Sequence, residues 1–327
     1  MKTGNSKTKA FALSNRGAAA LITAASVVFT AVFMLTGCPQ SAQREAVAPP
    51  APFVEGGISF YLRPDKKFKT VFIRAVNSDG TPLAVENCAE KTLQNAYEKE
   101  LHVLDANKPV IIKGDITELQ FRSDFPLGSL NVRGIPNLKK LNCCDSTLRS
   151  LDVHDLSSLE ELEPFSNRLT SLNVKGCSAL KKLDCDINEL TSLDVQGCSE
   201  LEELSCGVGN LTSLDLHGCS KLKKVYCSAN QLTAINIQGC NSLQEFDCVR
   251  NRLSAQAFIE ILNNLPPRNF SDGAKCFLYG TRAERNHRDF TSPSELRDAL
   301  LHAKNNKRWK MYKYVDNGAH SDKVEIE

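Results

Sequence analysis

Residues 180–195 read LKKLDCDINELTSLDV, and the same arrangement returns every 21 residues on both sides of them. The second half recurs as LGSLNV from Leu127, LRSLDV from Leu148, LTSLNV from Leu169, LTSLDV from Leu190, LTSLDL from Leu211 and LTAINI from Leu232, and closes with Leu253. The first half recurs from Leu138, Leu159, Leu180, Leu201, Leu222 and Leu243. Two interleaved series in fixed phase describe one structural unit copied along the chain. A single unit buries only one side of itself, so it gains stability by stacking on its neighbours and sharing a continuous core with them.

Within each unit the apolar positions alternate with polar ones around Leu183 and Cys185, the period of a strand with one buried face. Each inward leucine stabilises the stack by roughly 1.5–3 kcal/mol once covered. Asn167, Asn188, Asn230 and Asn251 stand where the chain turns away from that strand. A buried amide there can satisfy turn backbone groups of its own and the adjacent coil. Gly176, Gly197, Gly218 and Gly239 mark the opposite turn. Two copies depart from the pattern: Pro164 replaces the cysteine of one, and Gly209 replaces the asparagine of another. Ile116, Leu119 and Phe121 read as a degenerate first coil. Both halves of the unit carry Leu-x-x-Leu-x-apolar, and 21 residues leave little room for a helix. The expectation is a flat, two-sided, parallel β-rich solenoid.

The run Leu180-x-x-Leu183-x-Cys185-x-x-Asn188-x-Leu190 resembles the leucine-rich-repeat signature, with cysteine where leucine often stands. The resemblance covers about residues 115–253 and is to the short, 21-residue kind of bacterial cell-surface proteins. It implies a leucine-rich-repeat solenoid used for contact with another protein.

The beginning of the chain sets the expected compartment. Residues 1–16 carry Lys2, Lys7, Lys9 and Arg16 and no acid, residues 18–36 are apolar or small, and Leu35-Thr36-Gly37-Cys38 follows. A basic start, an apolar run and small residues before a cut are the marks of a secretory signal. The stretch resembles a bacterial lipoprotein signal, and the resemblance implies cleavage before Cys38, lipid on Cys38 and anchoring in a membrane. Pro39 follows, with no Asp, which by the same resemblance favours the outer membrane or cell surface. An uncleaved anchor is the alternative, since the apolar run is just long enough to span a bilayer. Removal of the leader turns the formal charge of +2 into −2, so nothing calls for nucleic acid or for a non-specific anionic-membrane patch, and membrane contact is expected through the lipid anchor only. The expected organisation is residues 1–37 as signal, 38–57 as a Pro/Ala-rich tether, 58–114 as an N-terminal α+β cap, 115–253 as repeats and 254–327 as a C-terminal α/β cap. The N-terminal cap is expected to hold a helix over Ala89–Leu104. In the C-terminal cap the spacing predicts a helix around Phe258, Ile261, Leu262 and Leu265. It also predicts strands at 276–279 and 309–315, and a second helix over Glu295–Lys304 opened by a capping box at Ser292-Pro293-Ser294-Glu295.

Thirteen cysteines in an exported chain would ordinarily mean disulfides. Here Cys143, Cys185, Cys206, Cys227 and Cys248 fall on one ladder and Cys177, Cys198, Cys219 and Cys240 on another. Parallel neighbours sit about 4.8 Å apart, while a disulfide wants Cβ atoms at roughly 3.5–4.5 Å. Buried thiol ladders are therefore expected, with one or two disulfides, or a metal, as the alternatives. The outward pairs Lys139-Lys140, Glu160-Glu161, Lys181-Lys182, Glu202-Glu203 and Lys223-Lys224, followed by Gln244-Glu245, alternate in sign from coil to coil. That pattern stabilises the register, or else forms an electrostatic binding face. The other outward positions vary, and Phe165, Asp184, Ile187, Val208, Tyr226 and Val249 are the candidate partner-binding residues; Asp186 and Asp247 share their face. Asp184, Asp186 and Asn188 resemble the start of a calcium loop, but the glycine and terminal glutamate of such a loop are missing. No catalytic motif is found, so no catalytic residue, cofactor or metal is expected. The chain reads as an adhesin or binding scaffold on the cell surface or, alternatively, a periplasm-facing structural or assembly scaffold, with an enzyme as the third reading.

Overall fold

A computed structural model describes residues 47–64, 69–122, 127–281, 286–316 and 321–326. The expected leader and Cys38 lie outside the described residues. The chain opens with a cap built from strands β1 (Gly57–Leu62), β2 (Thr70–Asn77), β3 (Leu83–Glu86), β4 (Thr92–Leu93), β5 (Glu98–His102) and β6 (Val110–Lys113). It then coils. β7 (Ile116–Phe121), β9 (Lys140–Asn142), β11 (Glu161–Glu163), β13 (Lys182–Asp184), β14 (Glu203–Ser205), β16 (Lys224–Tyr226) and β18 (Glu245–Asp247) lie side by side and parallel. β8 (Leu127–Asn131), β10 (Ser150–Asp152), β12 (Ser171–Asn173), β15 (Ser213–Asp215) and β17 (Ala234–Asn236) run along the opposite side. From β9 to β18 every register step joins residues 21 apart, such as Leu183 with Leu204, while the first step joins Leu119 of β7 to Leu141 of β9. This is a leucine-rich-repeat solenoid with extended chain on both sides.

After the last repeat come α1 (Ala255–Asn264), β19 (Lys275–Gly280), α2 (Ser294–Asn305), β20 (Lys310–Asp316) and β21 (Ser321–Glu325). β19 and β20 continue the parallel ladder past β18, and β21 turns back antiparallel on β20. At the other end β2 pairs antiparallel with β7 and β5 with β2. Both caps thus extend the sheet of the repeats, and one 12-stranded sheet runs from β5 to β21. The caps cover the apolar ends of the stack with the same backbone bonding that joins its coils.

The core is a set of identical columns. Leu141, Leu162, Leu183, Leu204, Val225 and Phe246 stack inward from the large sheet, and Val153, Val174, Val195, Leu216 and Ile237 are buried from the other side. Asn167, Asn188, Asn230 and Asn251 are buried between coils. In each, the side-chain oxygen accepts the backbone N–H of the leucine 19 residues earlier, and the amide donates to carbonyls of its own and the preceding coil. Ser146 and Asn286 take the same post at the two ends, accepting from Leu127 N–H and Leu253 N–H. A second, regular device closes the opposite turn. Asp152, Asn173, Asp194, Asp215 and Asn236 each accept the N–H two residues ahead, an Asx turn, and Gly176, Gly197, Gly218 and Gly239 follow in the left-handed region.

The N-terminal cap differs from the α+β expectation. The stretch Ala89–Leu104 holds β4 and β5 and no helix. Leu101 and Val103 are buried two residues apart, the period of a strand, whereas Tyr97 and Leu104, which a helix would have buried, are 74% and 59% exposed. Ala96 turns the chain at a φ of 63°, a conformation no right-handed helix contains. The described part of the expected tether packs on this cap: Ala48 is buried, and the carbonyls of Pro49, Ala51 and Pro52 accept side-chain bonds from Ser129, Asn131 and Ser59. At the other end α1 is capped by Ser254 through Ala257 N–H and stops at Leu265 before Pro266. The expected capping box at Ser292–Glu295 does not form. Pro293 is the N-cap residue of α2 and offers no side-chain acceptor.

Candidate functional site

The large sheet turns two outward columns to its open face. One runs Glu118, Lys140, Glu161, Lys182, Glu203, Lys224, Glu245, Lys275 and Lys310. From Glu118 to Lys275 the sign alternates, because stacked like charges about 4.8 Å apart would repel. Lys140 meets Glu161 at 2.9 Å, and Lys224 pairs with Glu203. Lys182 leaves its direct neighbours and pairs diagonally with Glu163. Along the adjoining edge, Lys181 reaches Glu160 at 2.6 Å and Lys223 reaches Glu202 at 2.7 Å. Exposed pairs of this kind contribute about 0–1 kcal/mol each, so the column fixes register more than it adds stability.

The second column is not uniform. It runs Gln120, Asn142, Glu163, Ser205 beside Asp184, Tyr226, Asp247, Phe277 and Tyr312. Next to it, past the buried cysteines, lie Phe165, Asp186, Gly207, Ser228 and Val249. Phe165, Asp184 and Tyr226 are half-buried on this face. Ile187 and Val208 are half-buried one step further round, on the rim, where the coil turns with φ of 54° and 52°. Asp145, Ser166, Ala229 and Arg250 take the same left-handed turn in other coils, and for a β-branched side chain that conformation is a true outlier. The structure therefore brings Phe165, Asp184, Ile187, Val208 and Tyr226 to one side of the solenoid. Val249 is not among the exposed positions: it is 2% exposed, because β19 and β20 carry the sheet past its coil. Asp247 is buried too, and accepts a hydrogen bond from the Tyr314 hydroxyl at 3.2 Å.

The carboxylates here are held in unusual states. Burial, helped by the adjacent Asp184 charge, pushes the Asp186 carboxyl up to about 7, although Gly207 N–H donates to it. A side chain at 207 would meet Ser228 O at 2.9 Å and Asp186 Oδ1 at 3.4 Å, so the glycine lets the carboxylate lie against the next coil. Burial pushes Asp247 up to about 6. Burial, with the Glu245 charge beside it, also raises the Tyr226 phenol. A patch beyond the repeats escaped the sequence pattern. The Phe277 ring stacks on Tyr312 and Tyr314 with centroids 5.2 and 5.5 Å away, and the Lys323 ammonium lies 4.5 Å from the Phe277 centroid. Asp247 pairs in register with Phe277, a step of 30 residues rather than 21. Only the spacing hides this coil from a repeat search.

The cysteines form the two expected ladders, and the twelve described are free thiols. Cys185, Cys227 and Cys248 donate forward to carbonyls of the next coil at 3.3, 3.3 and 3.4 Å. Cys177 and Cys240 donate backward to the previous coil, each at 3.2 Å. Burial pushes Cys177 and Cys240 up to about 12 and Cys198 to about 11, so they stay protonated and unreactive. Cys144, half-exposed beside Phe165's column, belongs to neither ladder. Among the described residues no cluster suited to a metal ion occurs.

No family profile matches the chain. No curated protein matches it. Among solved structures it is similar to the functional domain of InlJ from Listeria monocytogenes, which includes a cysteine ladder, with 30% identity and a TM-score of 0.38. That match covers 48% of this chain and spans only 34% of the neighbour's length.

Proposed function

We propose that this protein is a lipid-anchored scaffold of the bacterial cell surface that captures a protein partner on the open face of its large sheet. The carrying observation is a contrast between inward and outward positions. Inward columns repeat almost unchanged because each coil poses the same packing problem. The outward positions around Phe165, Asp184, Ile187, Val208 and Tyr226 change from coil to coil, and nothing in the stack requires those identities. Mixed aromatic, aliphatic and acidic side chains at partial exposure suit an interface core with a polar surround. The regular backbone beneath holds them at fixed spacing, which lowers the entropy lost on binding.

The anchor is proposed on the leader and Cys38. Cys38→Ser should abolish fatty-acid labelling and processing, and equal labelling of wild type and variant would remove the anchor from the proposal. Capture with the chain from residue 38 onward identifies the partner. Tyr226→Ala should then leave the circular-dichroism spectrum unchanged and weaken capture by about 2 kcal/mol, roughly thirtyfold. If Tyr226→Ala and Phe165→Ala both bind as wild type while loss of residues 254–327 abolishes binding, the repeats are a stalk and the proposal fails. The unchanged alternative, a periplasm-facing assembly scaffold, is separated by protease treatment of whole cells, which digests a surface protein and spares a periplasmic one.

A further inference from the structure

The alternation of charge along the outer column fails at one place. Lys275 of β19 and Lys310 of β20 are direct register partners, like charges side by side. Both are exposed. Lys140, Lys182 and Lys224 of the same column each have a carboxylate partner; Lys275 and Lys310 have none among the described residues. Arg308, two residues before Lys310, is exposed and likewise has no carboxylate partner among the described residues. It sits at a φ of 64° and lays its guanidinium 4.4 Å from the centroid of Phe270. Phe270 is 81% exposed, the most exposed of the large apolar side chains among the described residues. The backbone ties these residues into one patch: Lys310 N–H donates to Ala274 O at 2.9 Å, and Arg268 N–H to Lys307 O at 2.9 Å. The nearest acid in sequence, Asp272, is engaged by Asn269 N–H at 2.9 Å.

We propose that this corner docks on an anionic phospholipid bilayer, with Lys275, Arg308 and Lys310 against the phosphate groups and Phe270 entering the interface. Lys275 has Glu245 as its other register neighbour, but Lys310 and Arg308 add two cations with no ion pair among the described residues, and an anionic surface relieves their repulsion. A soluble polyanion would account for the cations but not for Phe270. An exposed ring flanked by cations is the side-chain set that partitions to the boundary between headgroups and acyl chains. Each cation near such a surface strengthens binding about fivefold. The inference takes from the proposed function only that the protein works beside a bacterial membrane. It is independent of lipid on Cys38.

The test uses the chain from residue 38, which contains every described residue, carrying Cys38→Ser so that no lipid is attached. Binding is measured by co-sedimentation with vesicles of phosphatidylglycerol and of phosphatidylcholine. Binding to the anionic vesicles alone is expected. The double variant Arg308→Gln with Lys310→Gln should weaken it about thirtyfold, and Phe270→Ser should weaken it at unchanged charge, each with an unaltered circular-dichroism spectrum. Equal affinity for both vesicles, or no binding to either, overturns the proposal. So does anionic binding indifferent to Phe270→Ser and fully competed by soluble polyphosphate, which would make the corner a soluble-polyanion site. Failure of the anchor shows instead as equal fatty-acid labelling of wild type and Cys38→Ser, and leaves this vesicle result unaffected.

Discussion

Replacing Asn188 by alanine should destabilise the solenoid more than replacing Asn251 by alanine, although the two side chains do the same work. Each oxygen holds a buried leucine N–H: Leu169 N–H at 2.9 Å for Asn188, and Leu232 N–H at 3.1 Å for Asn251. Each amide also donates to the carbonyl at the cysteine position of its own coil and of the coil before. In a regular stretch that carbonyl receives two side-chain donors, one from each adjoining asparagine. Cys227 O receives Asn230 and Asn251, and Cys248 O receives Asn251 and Asn286. Gly209 breaks the series. Cys185 O is left with Asn188 alone, at 3.0 Å. Truncating Asn251 therefore strands one group, Leu232 N–H. Truncating Asn188 strands two, Leu169 N–H and Cys185 O, while Pro164 O keeps Asn167 at 3.1 Å. At about 1–3 kcal/mol for each unsatisfied buried group, Asn251→Ala should lose about 2 kcal/mol and Asn188→Ala about 3–5 kcal/mol. Urea unfolding followed by circular dichroism measures both, and equal slopes certify a common unfolded state. Equal losses, or a larger loss for Asn251→Ala, would refute carbonyl sharing as the reason the ladder is continuous.

Three further outcomes follow from the same geometry. Asp186 and Asp247 are raised to about 7 and about 6 by burial, against about 3.9 in the unfolded chain. The folded state therefore holds protons that the unfolded state releases, and stability should fall as pH rises from about 4 to about 7. The urea midpoint should be higher at pH 5 than at pH 8, and Asp186→Asn should flatten the difference; a midpoint that rises with pH contradicts this. Thiol titration of the unfolded, unreduced protein should find most of the twelve cysteines beyond Cys38 free, and four or more disulfides by mass spectrometry would reject the ladders. Gly209→Ala should destabilise by about 1 kcal/mol, against the usual benefit of removing a glycine, because a Cβ there meets Asn230 Oδ1 at 2.8 Å and disturbs its bond to Leu211 N–H. A gain in thermal stability would show that this contact relaxes freely.

The repeats were legible in the sequence because each coil solves one packing problem with one residue pattern. Leu183, Cys185 and Asn188 have the same neighbours above and below as Leu204, Cys206 and Gly209, so a period of 21 carries fold, register and inward columns together. The thiol ladders and the alternating charges follow from that period alone. The caps are different, because each end of the stack occurs once. The apolar spacing of Leu93, Ala96, Tyr97, Leu101 and Leu104 satisfies a helical period, yet strand pairing with β2 overrides it and leaves Tyr97 in solvent. Local periodicity does not record which edge a segment will meet.

For the candidate site the division is the same. The sequence by itself determined that Phe165, Asp184, Ile187, Val208 and Tyr226 share one side of a solenoid, since their positions within the repeat fix their direction. It placed Val249 there by the same logic, and only the tertiary structure decided otherwise. β19 and β20 prolong the sheet beyond the last repeat, bury Val249, and bring Tyr314 to Asp247 across 67 residues of sequence. They also set Lys275 beside Lys310, the like-charged pair that the alternation of the repeats excludes everywhere else in that column. Burial and pairing at a solenoid's end depend on chain that returns from a distance, and a repeat pattern holds no information about residues that do not repeat.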